Sequence, residues 1–324
     1  MGKLQRLWKG LAAGGAAGVA ALAAVNAAVA RDRKEPETGA LGGEAGTYPW
    51  EHGHVFYRHA GEEGAPPVVF VHAVGAGARS FMWRRNFEPA ARHFRAYAVD
   101  LLGFGYSDKP ATAPYSADLY ASLLKDFLRE VVGRPAALVA HSLSAAYAAL
   151  VADESPELVS SLLLVSPTGA GSASARPGMT GAAFYGLLHS PVLGASFYNA
   201  MTSERGLRDH ARQQLFYNKR FATPRLVAHY YAVSHLPGAQ HAVTAYISGY
   251  LNTDIRGPFA RLGQPVTLAW GRQDTANPVE HAGHLLRLNP RARLELFDRC
   301  RQMPQEEHAD RFNALLREAL GPAR

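Results

Sequence analysis

The chain carries a series of short apolar runs set between longer segments of helical period. Pro67-Val68-Val69-Phe70-Val71 is apolar at every position and ends at a glycine-bearing loop. Ala96-Tyr97-Ala98-Val99-Asp100, Ala136-Ala137-Leu138-Val139-Ala140 and Leu162-Leu163-Leu164-Val165 repeat the pattern, as do Val266-Thr267-Leu268-Ala269-Trp270 and Leu294-Glu295-Leu296-Phe297. Val55-Phe56-Tyr57 suggests an earlier strand. Between them Tyr115 to Val132 places Leu119, Leu123, Phe127 and Val131 at helical spacing, and Ser144 to Ala152 reads as a second helix. Strands apolar on both faces that alternate with helices predict a mostly parallel sheet covered on both sides. In such sheets reactive groups gather at the carboxyl ends of the strands.

Two stretches break the alternation. Between Pro167 and Gly263 the pattern turns helical and aromatic, with Phe184, Tyr185, Phe197, Tyr198, Phe216, Tyr217, Tyr230, Tyr231, Tyr246 and Tyr250. It reads as a helical lid, about residues 168–262, inserted between two core strands; lids wall apolar pockets and exclude water. Each single aromatic has the plainer use of packing the lid on the core. The other stretch is the start of the chain. Lys3, Arg6 and Lys9 precede an uncharged run from Gly10 to Ala30, and Arg31, Asp32, Arg33 and Lys34 close it. The run has about 21 residues, enough to cross a bilayer as a helix, but it is mostly Ala and Gly and contains Asn26. Residues 1–34 therefore read as a membrane anchor, a cleaved signal segment or a soluble Ala-rich tail. The first two imply a membrane-associated or envelope protein, the third a cytoplasmic one. Residues 35–46 read as a polar, Gly-rich linker, and residues 47–324 as the folded domain.

Charge and composition add exclusions. The net charge of +7 is scattered and carries no zinc-finger, RRM or KH signature, so nucleic acid is not an expected partner. A lone cysteine, Cys300, excludes an internal disulfide and an all-cysteine metal site. His281 and His284 stand three apart with no third ligand in view, and read as a solvated helix face. Gly75-Ala76-Gly77 and Gly103-Phe104-Gly105 are weak glycine patterns better suited to turns than to a dinucleotide. No cofactor and no metal are expected; the expected partner is a small-molecule substrate.

The chemistry centres on Ala140-His141-Ser142-Leu143-Ser144, which follows a strand and opens a helix. The form is G-x-S-x-G with Ala140 and Ser144 in place of the glycines; small flanking residues suit a sharp, strained turn that exposes the serine. The helix N-terminus behind it offers free N–H groups and a positive partial charge to a developing oxyanion, with Leu143 N–H as one donor. A plain helix N-cap is the competing role for Ser142.

With that elbow in hand, the chain from about Gly53 to Ala319 resembles the α/β-hydrolase superfamily, in its AB hydrolase-1-like serine hydrolase branch. The resemblance rests on the elbow, on Asp100-Leu101-Leu102-Gly103-Phe104-Gly105-Tyr106-Ser107, on the loop His72-Ala73-Val74-Gly75-Ala76-Gly77 and on Trp270-Gly271-Arg272-Gln273-Asp274. It implies an α/β-hydrolase fold with Ser142 as nucleophile. It also implies Asp274 as the carboxylate that orients the base, Val74 N–H as the second oxyanion donor and His72 as a brace of its loop. The family's His-Gly is His72-Ala73 here, and alanine tolerates a positive φ poorly. Asp274 also has a plainer role, capping the helix near Pro278.

The family places its catalytic histidine in a G-H-x-P-x-x-E segment after the last strand. The corresponding stretch here is Arg301-Gln302-Met303-Pro304-Gln305-Glu306, so Gln302 stands at the histidine position. Glutamine cannot take a proton near neutral pH. Loss of one triad member lowers rates by on the order of 10⁴–10⁶. His308, His235 and His241 are the alternative bases, and His141 adjoins the nucleophile. The expectation is an ester or related acyl hydrolase acting through Ser142, with activity in doubt. The alternative is a non-hydrolytic or non-catalytic small-molecule binder on the same scaffold.

Overall fold

A computed structural model of the chain describes residues 2–32, 34, 41–171, 173–175 and 177–321. Eight strands form one sheet: β1 (Glu44–Trp50), β2 (Gly53–Ala60), β3 (Pro67–Val71), β4 (Arg95–Val99), β5 (Ala136–His141), β6 (Val159–Val165), β7 (Val266–Gly271) and β8 (Arg293–Phe297). Their spatial order is β1-β2-β4-β3-β5-β6-β7-β8. The β1–β2 and β2–β4 pairs are antiparallel; every pair from β4 to β8 is parallel. The apolar runs occupy the buried centre, and β3 and β5 have no exposed residue.

Alternation along each strand builds two cores. Val69, Val71, Leu138, Leu164 and Leu268 face one side, where they join helices α3 (Ala117–Phe127), α4 (Leu143–Glu154), α10 (Arg256–Arg261) and α11 (Glu280–Leu288). Val68, Phe70, Val139, Leu163 and Ala269 face the other, against α2 (Phe87–Ala91) and α13 (Ala309–Leu320). The period of two thus divides the strands between two packed layers. Helix α4 is buried almost throughout, and its alanines at 145, 146, 148 and 149 let it lie close against the sheet.

Between β6 and β7 the chain forms a helical insertion: α5 (Met179–Leu188), α6 (Leu193–Met201), α7 (Glu204–His210), α8 (Pro224–Ser234) and α9 (Gln240–Ile247), with α10 leading back to the sheet. Phe216, Leu226, Val227 and Tyr230 join one core; Tyr198, Ala242 and Val243 join the other. Strand β1 takes in Glu44 to Gly46, the end of the stretch read as a linker, and Glu35 to Ala40 lie outside the described residues.

Helix α1 (Gly2–Arg31) does not stand apart from the domain. Asn26 Nδ2 donates to Val192 O (3.1 Å) and Ser196 Oγ (3.0 Å), and Asn199 Nδ2 donates to Asn26 Oδ1 (2.9 Å). Lys34 Nζ donates to Glu204 Oε1 at 3.1 Å. The expectation of a spanning anchor is not supported: among the described residues no helix is long and apolar enough to cross a membrane. Asn26, the polar residue within the run, is bonded to the insertion instead.

Candidate active site

The elbow is built by extending β5 one residue past its partner. His141 pairs with Val165, and Ser142 N–H still donates to Val165 O at 2.8 Å. The chain then reverses into α4 through Ser142 at φ 56°, ψ −120°. A non-glycine residue there is held by its surroundings at a strain of about 1–3 kcal/mol. Ser144, which replaces the second glycine of the pattern, does more than stay small. Its Oγ donates to His72 O at 2.6 Å, joining the elbow to the loop after β3. Leu143 is the first residue of α4, so its N–H belongs to the group that has no intrahelical acceptor.

The loop after β3 is braced by His72. Leu101 N–H donates to His72 Nε2 at 2.9 Å, and His72 Nδ1–H donates to Ala73 O at 2.7 Å, which fixes a neutral tautomer. Burial lowers the affinity of this ring for a second proton. Ala73 is not among the residues with positive φ, so alanine fits where the family has glycine. Val74, the expected second oxyanion donor, is buried in the same loop. Asp100, fully buried, accepts from Ser80 N–H (2.7 Å) and Tyr106 N–H (2.9 Å) and anchors the neighbouring turn.

Asp274 follows β7. Its Oδ1 accepts from Ala276 N–H and Asn277 N–H, both at 3.0 Å. Its Oδ2 is buried and without a hydrogen bond; Ser166 Oγ is near it, but the pair does not meet hydrogen-bond geometry. Burial raises the Asp274 carboxyl above the usual carboxylate range. The amides of Asn277 and Ala276, then Ser166 and Arg301, only partly offset the rise. Ser166 itself sits at φ 43°, fully buried, and the sequence reading did not single it out.

Gln302 lies on the loop between β8 and α12 (Pro304–Glu307), and that loop is held from three sides. Gln273 N–H donates to Cys300 O and Cys300 N–H donates to Gln273 Oε1, both at 3.0 Å. Gly271 allows the crossing, since a Cβ there would lie 1.9 Å from Arg301 O. At the elbow, His141 Nε2–H donates to Gln302 O at 2.6 Å. Behind the loop, Arg84 forms a two-pronged ion pair with fully buried Glu306, and Arg85 Nη1 donates to Glu306 O at 2.7 Å. The backbone at Gln302 is thus brought between the Asp274 loop and the elbow. His141 is buried; burial pushes it down to about 4, with its bond to Gln302 opposing, and its Nε2–H is committed to that carbonyl.

The alternative bases lie elsewhere. His308 lines an open cavity of about 530 Å³ with Tyr217, Phe221, Arg299 and Glu307, among whose lining residues no elbow residue occurs. His235 accepts or donates within the insertion, Nδ1 with Tyr231 O (2.7 Å) and Nε2 with Thr202 Oγ1 (3.4 Å). His235 and His241 line a second cavity, of about 220 Å³, between the insertion and Asn26, Val29 and Ala30 of α1; Ser142 is not part of it. One histidine went unnoticed in the sequence. His229 of α8 stacks on Phe81 at 3.9 Å, and burial, then Arg79 and Arg84, lowers it to about 3. Nothing in its local sequence distinguishes it from any other helical histidine. Among the described residues no group of three or more His, Cys, Asp or Glu side chains is arranged to hold a metal.

Comparison with known proteins agrees with this architecture. The family model for the alpha/beta hydrolase fold matches residues 66–309, and the chain belongs to that family. It is 30% identical over 263 residues to the dihydrolipoyllysine-residue acetyltransferase component of the acetoin cleaving system of Cupriavidus necator, covering 80% of this chain and 64% of that protein. It therefore spans just under two thirds of that relative's length. It is 27% identical over 258 residues to the 2-hydroxymuconate semialdehyde hydrolase of Pseudomonas sp. strain CF600, covering 79% of this chain and 87% of the relative. Among solved structures, a meta-cleavage product hydrolase from Pseudomonas fluorescens IP01 superposes with a TM-score of 0.71 at 22% identity, over 88% of this chain and 99% of that one.

Proposed function

We propose that the chain is a hydrolase of the α/β fold that handles a small ester or related acyl compound through Ser142, with an incomplete triad. In this reading Leu143 N–H and Val74 N–H receive the oxyanion, and the helical insertion is the lid over the pocket. Relatives named as hydrolases of 2-hydroxymuconate semialdehyde and of meta-cleavage products support a small carbonyl substrate. The observation that carries the reading is the unpartnered Asp274 Oδ2. A triad carboxylate uses one oxygen on backbone amides and the other on the imidazole of the base. Here the first set of bonds is made and the second is not, and the chain at the base position presents glutamine.

A serine without a proton acceptor attacks slowly, while the oxyanion hole still lowers the barrier. Low turnover of activated esters follows. The same missing partner favours a second reading, a binding protein that uses the pocket without hydrolysis. Release of p-nitrophenol from p-nitrophenyl butyrate by wild type and Ser142→Ala separates the two. A wild-type rate clearly above that of Ser142→Ala supports the hydrolase. Equal rates sink it and leave the binding reading. Rapid labelling of Ser142 by a fluorophosphonate would show that another group activates it and would overturn the incomplete-triad account.

A further inference from the structure

Helix α1 is packed the wrong way round for a helix in water. Its uncharged run from Gly10 to Ala30 contains one polar side chain, Asn26. That side chain is turned to the protein, half-buried against α6. Of the larger apolar residues, Val19, Leu22 and Val25 are turned outward, with Val25 58% exposed, while Val29 faces the insertion. A water-facing helix buries its apolar stripe and exposes its polar one. The reverse arrangement, a polar residue bonding helix to helix and apolar residues outside, suits a lipid environment.

The insertion beside α1 also exposes apolar residues. Helix α1 contacts α6, and α6 contacts α5. Leu187, Leu193 and Phe197 on these two helices are 51%, 48% and 45% exposed, and Phe184 meets Phe197 edge to face. An exposed apolar patch of this kind needs a cover. Charge indicates which one. The first 34 residues hold Lys3, Arg6, Lys9, Arg31, Arg33 and Lys34 against Asp32 alone, so most of the chain's +7 is carried by the sequence of α1 and the residues just after it. Basic residues flanking an apolar helix face match an anionic lipid surface. A second copy of the chain would bring like charges together instead.

We propose that α1 and the α5–α6 side of the insertion together seat the protein on an anionic lipid bilayer, with α1 lying in the headgroup boundary rather than crossing it. Asn26 and Lys34 then fasten the lipid-seated helix to the insertion. This rests on the surface alone and holds whether or not Ser142 is catalytic.

The test uses the full chain and vesicles of phosphatidylcholine, or of equal parts phosphatidylcholine and phosphatidylglycerol. Co-flotation with the anionic vesicles is expected, weakening as salt rises. The variant Leu22→Glu/Leu193→Glu/Phe197→Glu, altered only at exposed positions, is expected to lower partitioning at least ~10-fold. Its melting temperature and its rate on a soluble ester should match wild type. Trypsin added outside the vesicles should still cleave at Lys3 to Lys9. Absence of binding to anionic vesicles, or binding that the triple variant leaves intact, overturns the proposal. So does protection of Lys3 to Lys9, which would mean that the helix crosses. A lipid-free dimer that the triple variant dissociates, with no vesicle binding, would assign the face to a second copy.

Discussion

Two loops at the carboxyl edge of the sheet invite comparison: the elbow after β5 and the loop after β8. Both are tightly held. The elbow keeps Ser142 at φ 56° by a strand-like bond to Val165, a buried helix behind it and the Ser144 bond to His72. The loop after β8 is fastened to Gln273, to His141 and, through Glu306, to Arg84. The difference lies in what each presents. The elbow presents the Ser142 hydroxyl at the N-terminus of α4, where the Leu143 N–H has no intrahelical acceptor. The other loop carries Gln302, whose side chain cannot take a proton, and its backbone is bonded to Gln273 of the Asp274 loop and to His141 of the elbow. On the proposed reading geometry and chemistry separate here: the scaffold holds the place of a base, and Gln302 fills it.

The strongest way to sharpen that contrast is to supply the base. On the proposed reading Gln302→His supplies the imidazole that Asp274 lacks, and ester turnover should rise by about 10³-fold. The gained rate should increase with pH through the ordinary histidine range, since only the neutral ring accepts a proton. A gain that survives Ser142→Ala, or no gain at all in a folded variant, breaks the comparison. It would mean that the loop after β8 does not present residue 302 to the serine.

The clamp behind the loop is the next test. Glu306 is fully buried; burial raises its carboxyl, and Arg84 chiefly opposes that rise. Arg84→Ala leaves the carboxylate buried and without its partner, which destabilises by about 3–5 kcal/mol. The melting temperature should fall by roughly 5–15 °C. In a Gln302→His background the rate gain should shrink as well, because the loop that carries residue 302 loses its support. Unchanged melting would show that the loop is held by its other two fastenings.

His141 gives a pH test of the joint between the two loops. Its pKa in the fold is depressed to about 4, against about 6.5 when unfolded. A depressed pKa means that the unfolded chain takes the proton first. The stability His141 contributes is full above about 6.5 and is lost as the pH falls towards 4. Replacement by Asn, which still can donate a hydrogen bond, should remove about one proton from the pH dependence of the urea midpoint over that range. A slope equal to wild type would mean that His141 is protonated in the fold and bonds Gln302 as a cation. His229, lowered to about 3, acts in the same direction and must be kept constant.

Much of the first loop was legible in the sequence and less of the second. Strands β3 to β8 declare themselves because parallel strands are apolar on both faces, and the small residues around Ser142 mark the turn. Strand β1 escaped, since Glu44-Ala45-Gly46 reads as loop and becomes strand only through pairing with β2. Ser144 was read as merely small, because a hydroxyl's target across 72 residues of chain cannot be seen locally. Gln302 was read as standing at the base position from its place before Met303-Pro304. Its backbone bond to His141 was not, because that bond joins two loops through the fold. Ser166 and His229 carry no local signal; their burial is a tertiary result. The docking of α1 also follows from one amide, Asn26, which in the sequence only weakened an apolar run.

The smallest effect concerns Asp274 itself, and it separates a vestigial carboxylate from a working one. The carboxyl is 5% exposed and, chiefly through burial, raised in the fold. An acid with a raised pKa stabilises the fold fully below its unfolded pKa of about 3.9, and that contribution is lost as the pH rises through the folded value. Above that folded value the ionised Asp274 is therefore a cost to the fold, not a support. Asp274→Asn keeps an oxygen for the Ala276 and Asn277 amides and puts an NH₂ where Ser166 Oγ can accept. It should raise stability above the folded pKa and flatten the fall there. Paired with Gln302→His, the sign of usefulness reverses: the same Asp274→Asn change should erase most of the gained rate, since the imidazole loses the carboxylate that orients it. Urea unfolding of the single variant and ester turnover of the double variant check the two halves. If Asp274→Asn destabilises the wild-type background instead, the buried oxygen has a partner in solution, and the contrast between the two loops narrows to the side chain of Gln302 alone.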